Sequence, residues 1–451
     1  MFQEHPYLTL SLVAFLANIP LGYIRANCPK FSLRWLFWIH ASIPLIIFMR
    51  VTLGTSKWFI PVCIFLAIAG QIIGGRWRRK RTSWQEAERL KQIPAIDPLN
   101  PKKLDESRTT VVLLNMGGPR TNADVPDFQK KLFTDPTLIR FPLSFLFQRL
   151  FAWLLVTFRT KAARERYQLI GGGSPIFEST ERQTEALQQE LTRRGRKVDV
   201  IFSFNYSAPL PEEAIRAVQQ SGRTSVLLLS LYPHYSQATT GSNIHYLKKA
   251  ASHIYPEVRF TEAPAYYLHD GYIQAFVDRV HEQLKPGESL DDFYLIFSPH
   301  GLPLYSLVEG DPYAFQISQT VAKILTKLGR TNRWSIAYQS AVGPLQWLKP
   351  SLEDMLEAVT RRGYKKLLIV PVSFVTDHIE TLCEVDIEYR KFAEGLGVTD
   401  YRMSLAIECH PEFIRALADS VEAALTPPTK GLRHTASLLR GGIDSLLKFK
   451  K

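Results

Sequence analysis

His300 closes the segment Phe293-Tyr-Leu-Ile-Phe-Ser-Pro-His-Gly-Leu-Pro303, where an apolar run of strand length meets a turn forced by Gly301 and Pro303. An imidazole so placed either packs and caps the turn, or accepts a proton or binds a metal near neutral pH. A second apolar run, beginning at Leu368, ends in the polar cluster Asp377, His378, Glu380. A helix begins there, and Glu380, Glu384 and Glu388 recur every fourth residue on one of its faces. Like charges stacked in this way destabilise a helix. The row is therefore either a solvated acidic face or a donor set which, with imidazole, suits a divalent ion such as Fe²⁺. A line of carboxylates leading to a histidine would hand an ion over rather than store it. The four cysteines Cys28, Cys63, Cys383 and Cys409 form no CxxC pair, which leaves out a zinc ribbon and a thioredoxin-like site. Leu113-Leu-Asn-Met-Gly-Gly-Pro119 is a third strand-to-turn junction, but it lacks the GxGxxG spacing of a dinucleotide site. Gly171-Gly-Gly-Ser-Pro175 and Thr239-Thr-Gly-Ser242 read as loop punctuation whose amides could cradle an anion.

The elements that must position these groups alternate regularly. Strands are expected at Thr110–Asn115, Val198–Phe204, Ser225–Leu231, Phe293–Ser298, Ser335–Gln339 and Lys366–Val372. Helical patterns lie between and after them, at Ser179–Arg194, Pro211–Gln220, Ser242–Ser252, Tyr272–Gln283, Tyr313–Leu328, Leu352–Arg361 and Glu380–Ala393. Buried apolar strands alternating with helices predict an α/β fold with parallel sheets covered on both faces. At over 300 residues this block predicts two Rossmann-like, doubly wound lobes, roughly 109–265 and 266–425. Ligands in such folds bind beyond the carboxyl ends of the strands, where His300 and the acidic row fall.

The net charge of +13 over 451 residues is unevenly placed. Residues 1–81 carry +9 and residues 426–451 carry +5, leaving −1 for 82–425. This argues against nucleic acid, which needs a basic face on the folded domain. Residues 1–81 instead read as an all-α transmembrane segment, with apolar runs at Tyr7–Ile24, Leu36–Leu53 and Trp58–Gly75. Arg25, Lys30 and Arg34 follow the first run, and Arg76 to Arg81 follow the third. The positive-inside rule then puts the N-terminus outside and everything after residue 76 in the cytoplasm, a multi-pass protein of the inner (cytoplasmic) membrane. Asn18, Pro20, His40 and Pro44 interrupt the runs; either neighbouring helices satisfy them or they mark an intramembrane site. Gly70 and Gly74 form a GxxxG pair. Residues 82–108 are expected to be a linker with a short helix at Ser83–Gln92. Residues 426–451 form a basic tail, either a helix on an anionic membrane face or unstructured.

Taken in order, several segments resemble ferrochelatase: Leu114-Asn-Met-Gly-Gly-Pro119, Tyr167 with Ile170-Gly-Gly-Gly-Ser-Pro-Ile176, Leu231-Tyr-Pro-His-Tyr-Ser236, Ser298-Pro-His-Gly-Leu-Pro303, Gly310-Asp-Pro-Tyr313, Tyr338-Gln-Ser340 and Asp377-His-Ile-Glu-Thr-Leu382. The resemblance runs from about Thr109 to Val421. It implies the chelatase-like fold, with a porphyrin cleft between two lobes, and insertion of Fe²⁺ into protoporphyrin as the last step of haem synthesis. It implies that His300 stands at the porphyrin and metal centre with Glu380 as partner carboxylate across the macrocycle. Asp377, His378, Glu384 and Glu388 then match a metal or proton path. Met116, Tyr167, Ser174 and Phe374 match porphyrin-pocket positions, and Arg159 an arginine near the propionates. Handover of porphyrin from the preceding pathway enzyme is a further expectation.

The chain also departs from that family's pattern. Gln237 stands where some members carry a cluster-binding cysteine and no cysteine follows Cys409, so no [2Fe–2S] cluster and no cofactor beyond the substrate iron are expected. Asn205 stands where the family often has arginine, and the three apolar runs make the chain look like a fusion. The rival readings are chelation of another metal or tetrapyrrole, such as cobalt or a coproporphyrin, and a non-catalytic membrane haem or iron carrier.

Overall fold

The computed structural model describes residues 5–26, 28, 32–92, 104–135, 144–330, 332–341 and 345–425. The basic tail and the middle of the expected linker lie outside them. The chain divides into two units, Met1–Gln92 and Ile93–Lys451.

In the first unit three helical stretches are long and apolar enough to cross a membrane: Pro6–Arg25, Arg34–Thr52 and Lys57–Arg78. The first two are interrupted, near Ala17 and near Ala41–Ser42. The third continues without a break through the segment expected as a separate linker helix, as one helix from Ile60 to Gln92. The polar residues at the interruptions satisfy one another. Ser42 Oγ donates to Asn18 Oδ1 at 2.9 Å, and Gln71 Nε2 donates to Asn18 Oδ1 at 3.1 Å and to the Ile39 carbonyl at 3.0 Å. Where no water is available, such partners remove the cost of a broken helix. The GxxxG pair has a steric cause: a Cβ on Gly74 would stand 1.8 Å from the Ile19 carbonyl oxygen, and one on Gly70 2.2 Å from that of Phe15. Only glycine lets these backbones approach so closely.

The second unit holds two four-stranded sheets. The first comprises β1 (Thr109–Asn115), β2 (Asp199–Phe204), β3 (Ser225–Ser230) and β4 (Arg259–Glu262), in the order β2-β1-β3-β4. The second comprises β5 (Tyr294–Phe297), β6 (Trp334–Ile336), β7 (Lys366–Val370) and β8 (Asp400–Met403), in the order β6-β5-β7-β8. Every pairing is parallel and the second sheet repeats the strand order of the first. All seven residues of β1 are buried, as a central strand covered on both faces requires. The six expected strands form, and the sheets add β4 and β8. Both are four-residue edge strands carrying charged residues (Arg259 and Glu262; Asp400 and Arg402), so neither presents an apolar run.

The two sheets share one core. Val111 and Leu113 of β1, Leu227 and Leu229 of β3, Leu295 and Phe297 of β5, and Leu368 and Val370 of β7 belong to a single buried cluster. Helices Asp270–His281 and Pro411–Leu425 fill it with Tyr272, Phe276 and Phe413, each fully buried. Burying each such ring contributes about 2–3 kcal/mol. Arg194, after the helix Ile176–Arg193, bonds Glu422 at 2.8 Å and so ties the C-terminal helix back to the first sheet's flank. The cleft walls are thus parts of one packed body.

Candidate active site

A cavity of about 1320 Å³ opens where the strands of both sheets end. That exceeds the roughly 300–1,000 Å³ of an ordinary small-molecule site. Met116 enters it from the end of β1, Leu231 and Tyr232 from β3, His300 from β5, Ser340 from β6, and Ser373 to Thr376 with His378 to Glu380 from β7. One long helix, Ser144–Leu169, supplies Arg159, Arg166 and Tyr167, which its period places on one side. The residues expected at a porphyrin pocket, Met116, Arg159, Tyr167, Ser174 and Phe374, all line this one cavity. Ser174 arrives through the triple-glycine turn, which packs closely against the segment after β1. Ser174 N donates to the Pro119 carbonyl at 2.8 Å, and a Cβ on Gly173 would lie 2.0 Å from the Arg120 carbonyl oxygen.

His300 is fixed by its backbone. Its N–H donates to Ser373 Oγ at 3.0 Å, and its carbonyl accepts from Tyr313 Oη at 3.0 Å. Ring Nδ1 lies 2.5 Å from the Gly301 carbonyl, so Nδ1 carries the proton and donates it. That leaves Nε2 aimed at Glu380 Oε1, 3.4 Å away. On the other side of the carboxylate, His378 Nε2 stands 3.4 Å from Glu380 Oε2, with Phe374 packed 4.9 Å from the His378 ring. Burial alone would lower the His300 pKa, but the Glu380 carboxylate and the Gly301 carbonyl outweigh it and push it up to about 9. Burial likewise would raise Glu380, yet His300 and His378 hold its carboxyl well below the usual range. The pair is poised as imidazolium and carboxylate.

The helix carrying the acidic row, Ile379–Tyr389, is a π-helix. Such wider turns are rare and recur at functional sites. Glu380, Glu384 and Glu388 all face the cavity. Glu384 is clamped by Ser340, whose N–H and hydroxyl donate to its two oxygens at 2.8 and 2.7 Å. Burial, with Glu380 nearby, pushes its pKa up despite those bonds. Glu388 pairs with Arg166 at 2.6 Å.

Asp377 does not join this row. One carboxylate oxygen accepts from Thr381 Oγ1 at 2.9 Å and the other from the Ala406 N–H at 3.1 Å, so it holds the start of the π-helix instead of facing the cavity. Among the described residues no three His, Cys, Asp or Glu side chains converge on one metal position.

Three contributors carried no role in the sequence reading. Ser340 directly follows the strand expected at Ser335–Gln339, but its partner Glu384 is 44 positions away. Arg166 acts through a residue 222 positions away. His234, in the Leu231–Ser236 segment, is fully buried in the cavity wall, where burial lowers its pKa to about 3 and keeps it neutral. Its Nε2 bonds Thr320 Oγ1 at 2.9 Å.

An apolar cleft at the strand ends of two parallel sheets, holding an acid–base pair at the head of a carboxylate row, defines an enzyme that handles a large planar ligand and a cation together. A family model described as Ferrochelatase matches residues 108–425. The ferrochelatase of Synechococcus elongatus is 41% identical over 324 residues, covering 71% of this chain and 84% of that protein. The ferrochelatases of Trichodesmium erythraeum and of a Nostoc species are each 40% identical, covering 72% and 73% of this chain and 84% and 86% of those proteins. Among solved structures, SirB from Bacillus subtilis with Fe³⁺ aligns with a TM-score of 0.41 at 16% identity, covering 55% of this chain and 90% of that one. The chain belongs to the ferrochelatase family, and its activity is that of a ferrochelatase, a metal-insertion enzyme of haem synthesis.

Proposed function

We propose that the substrates are Fe²⁺ and protoporphyrin IX, and that His300 and Glu380 flank the bound macrocycle. In the reaction two pyrrole N–H bonds break, four iron–nitrogen bonds form, and two protons leave. His300 Nε2, once parted from Glu380 and relieved of its own proton, accepts one of them. Glu380 receives iron at the other face or takes the second proton. Glu384 and Glu388 lead iron to Glu380, and Asp377 serves by holding that helix in place. Met116, Tyr167, Ser174 and Phe374 grip the ring, and Arg159 meets a propionate. Binding along these walls supplies the energy to bend the macrocycle.

The observation that carries this reading is the 3.4 Å contact of His300 with Glu380 at the heart of the cavity. An aromatic ring between two groups needs about 7 Å, two contacts of ~3.5 Å. Porphyrin entry therefore parts the pair, and His300 loses the carboxylate that holds its proton.

We further propose that the protein holds no iron–sulfur cluster. Burial raises the pKa of both the Cys383 and Cys409 thiols, which disfavours the thiolate form a cluster needs. The purified, metal-replete protein should be colourless before porphyrin is added. With Fe²⁺ and protoporphyrin it should give the absorbance of haem. Faster turnover of a coproporphyrin, or of Co²⁺, would reassign the substrate; a bound chromophore at the outset would refute the cluster proposal.

The three apolar stretches are proposed to span the membrane, with the loop after Arg25 and the segment after Arg76 on the cytoplasmic side. In spheroplasts, external protease should leave the catalytic unit intact until detergent is added. Digestion without detergent would reverse the orientation, and release of the chain by alkaline carbonate would remove the spans.

A further inference from the structure

We propose that Arg166 is a charge gate at the outer end of the carboxylate row: it holds Glu388 while the row is empty and yields it to an arriving divalent cation. The inference deepens the ferrochelatase reading and rests on it for the direction of iron travel. Each acid in the row is balanced differently. Glu380 faces His300 and His378, both at 3.4 Å. Glu384 has both oxygens satisfied by Ser340. Glu388 lies at the open end of the π-helix, and among the described residues Arg166 is the one basic side chain in ion-pair contact with it, Nη2 to Oε2 at 2.6 Å.

Three features make this pair a gate rather than a brace. It is single-edged: Arg166 Nε is buried and has no hydrogen-bond partner among the described residues, so the fork that would lock a carboxylate is half used. It is accessible, with 37% of the Arg166 and 45% of the Glu388 side-chain surface exposed, and exposed pairs of this kind are weak. It also joins two parts of the site, because Arg166 comes from the helix that presents Tyr167 to the porphyrin cavity, whereas Glu388 belongs to the acidic row. A doubly charged ion competes with the singly charged guanidinium for the same carboxylate, and displaced Arg166 gives up, besides that pair, a side-chain contact with the Cys383 thiol, which itself reaches the other oxygen of Glu388 at 3.6 Å.

Arg166→Gln should therefore strengthen entry of metal. The apparent KM for Fe²⁺ or Zn²⁺ should fall about 2- to 5-fold, the range that loss of one exposed ion pair allows, with the porphyrin KM unchanged. In full-length, porphyrin-free protein in detergent, Co²⁺ binding followed by calorimetry should tighten by a similar factor. This second measurement needs no turnover, so it reads Arg166 even if the substrate assignment fails. In a Glu388→Gln background, Arg166→Gln should change neither quantity. Arg166→Lys, which keeps the charge, should stay near the parent value and serves if the glutamine variant does not fold. A raised porphyrin KM with metal KM unchanged would make Arg166 a propionate contact. Weaker Co²⁺ binding in Arg166→Gln would make it a brace for Glu388. Either result overturns the gate.

Discussion

His300→Ala should lower turnover by about 10²–10⁴-fold, the range that loss of a positioned proton acceptor produces, while the protein remains folded. The loss follows from the position of Nε2. With Nδ1–H committed to the Gly301 carbonyl at 2.5 Å, Nε2 is the nitrogen that faces Glu380 and the cavity, and no other histidine nitrogen there is equivalent. His378 Nε2 stands on the far side of Glu380, and His234 is held neutral in the wall. The folded state survives because what fixes residue 300 is backbone: the bond from its N–H to Ser373 and the one its carbonyl accepts from Tyr313 both outlast loss of the ring. Porphyrin should still bind and quench intrinsic fluorescence, so the defect should appear in kcat rather than in porphyrin affinity. Turnover within a few-fold of the parent would remove His300 from the chemistry.

How much of this was legible beforehand depended on where each residue stands. Central strands reveal themselves because they are buried on both faces, so β1, β3, β5 and β7 read as unbroken apolar runs and the turn after each could be searched. His300 and Glu380 were found in that way. The edge strands β4 and β8 could not be, since half-exposed backbone tolerates Arg259, Glu262 and Asp400. The row Glu380, Glu384, Glu388 was legible as spacing, but the π-helix that carries it was not, because nothing in local composition marks a wider turn. Asp377 shows the limit of adjacency. Next to His378 in sequence, it turns to the Ala406 amide and the Thr381 hydroxyl, the first of which only the fold brings beside it. Ser340 and Arg166 act through partners 44 and 222 residues away, a relation that only the fold creates. The sharing of one core by both sheets was equally hidden. It depends on Pro411–Leu425 returning to the first half, whereas the pattern of alternation suggests two separate bodies.

Glu380→Gln removes the carboxylate but keeps its shape, and it tests the pair through two independent readouts. Turnover should fall about 10²–10³-fold, because the neutral amide neither receives iron as an anion nor takes a proton. The second readout is stability against pH in the porphyrin-free enzyme. His300 has a folded-state pKa near 9 against an ordinary value of 6.5, so between those limits the folded protein binds more protons than the unfolded chain. Its contribution is therefore complete below about pH 6.5 and is lost as pH rises toward 9, and the melting temperature of the parent should decline across that window. Glu380, held below its ordinary 4.5, adds the opposite limb, present above that value and lost in acid. Without the carboxylate, burial meets only the smaller opposing effects of the Gly301 carbonyl and Glu384, so the His300 pKa drops and the decline between pH 6.5 and 9 should largely disappear from the variant. Saturating a non-metallating porphyrin into the parent should flatten the same slope, because a macrocycle that needs about 7 Å cannot enter a 3.4 Å contact without separating the two groups. A slope that persists in Glu380→Gln would mean that His300 is held charged by another group, and the pair would lose its place as the element that porphyrin binding opens.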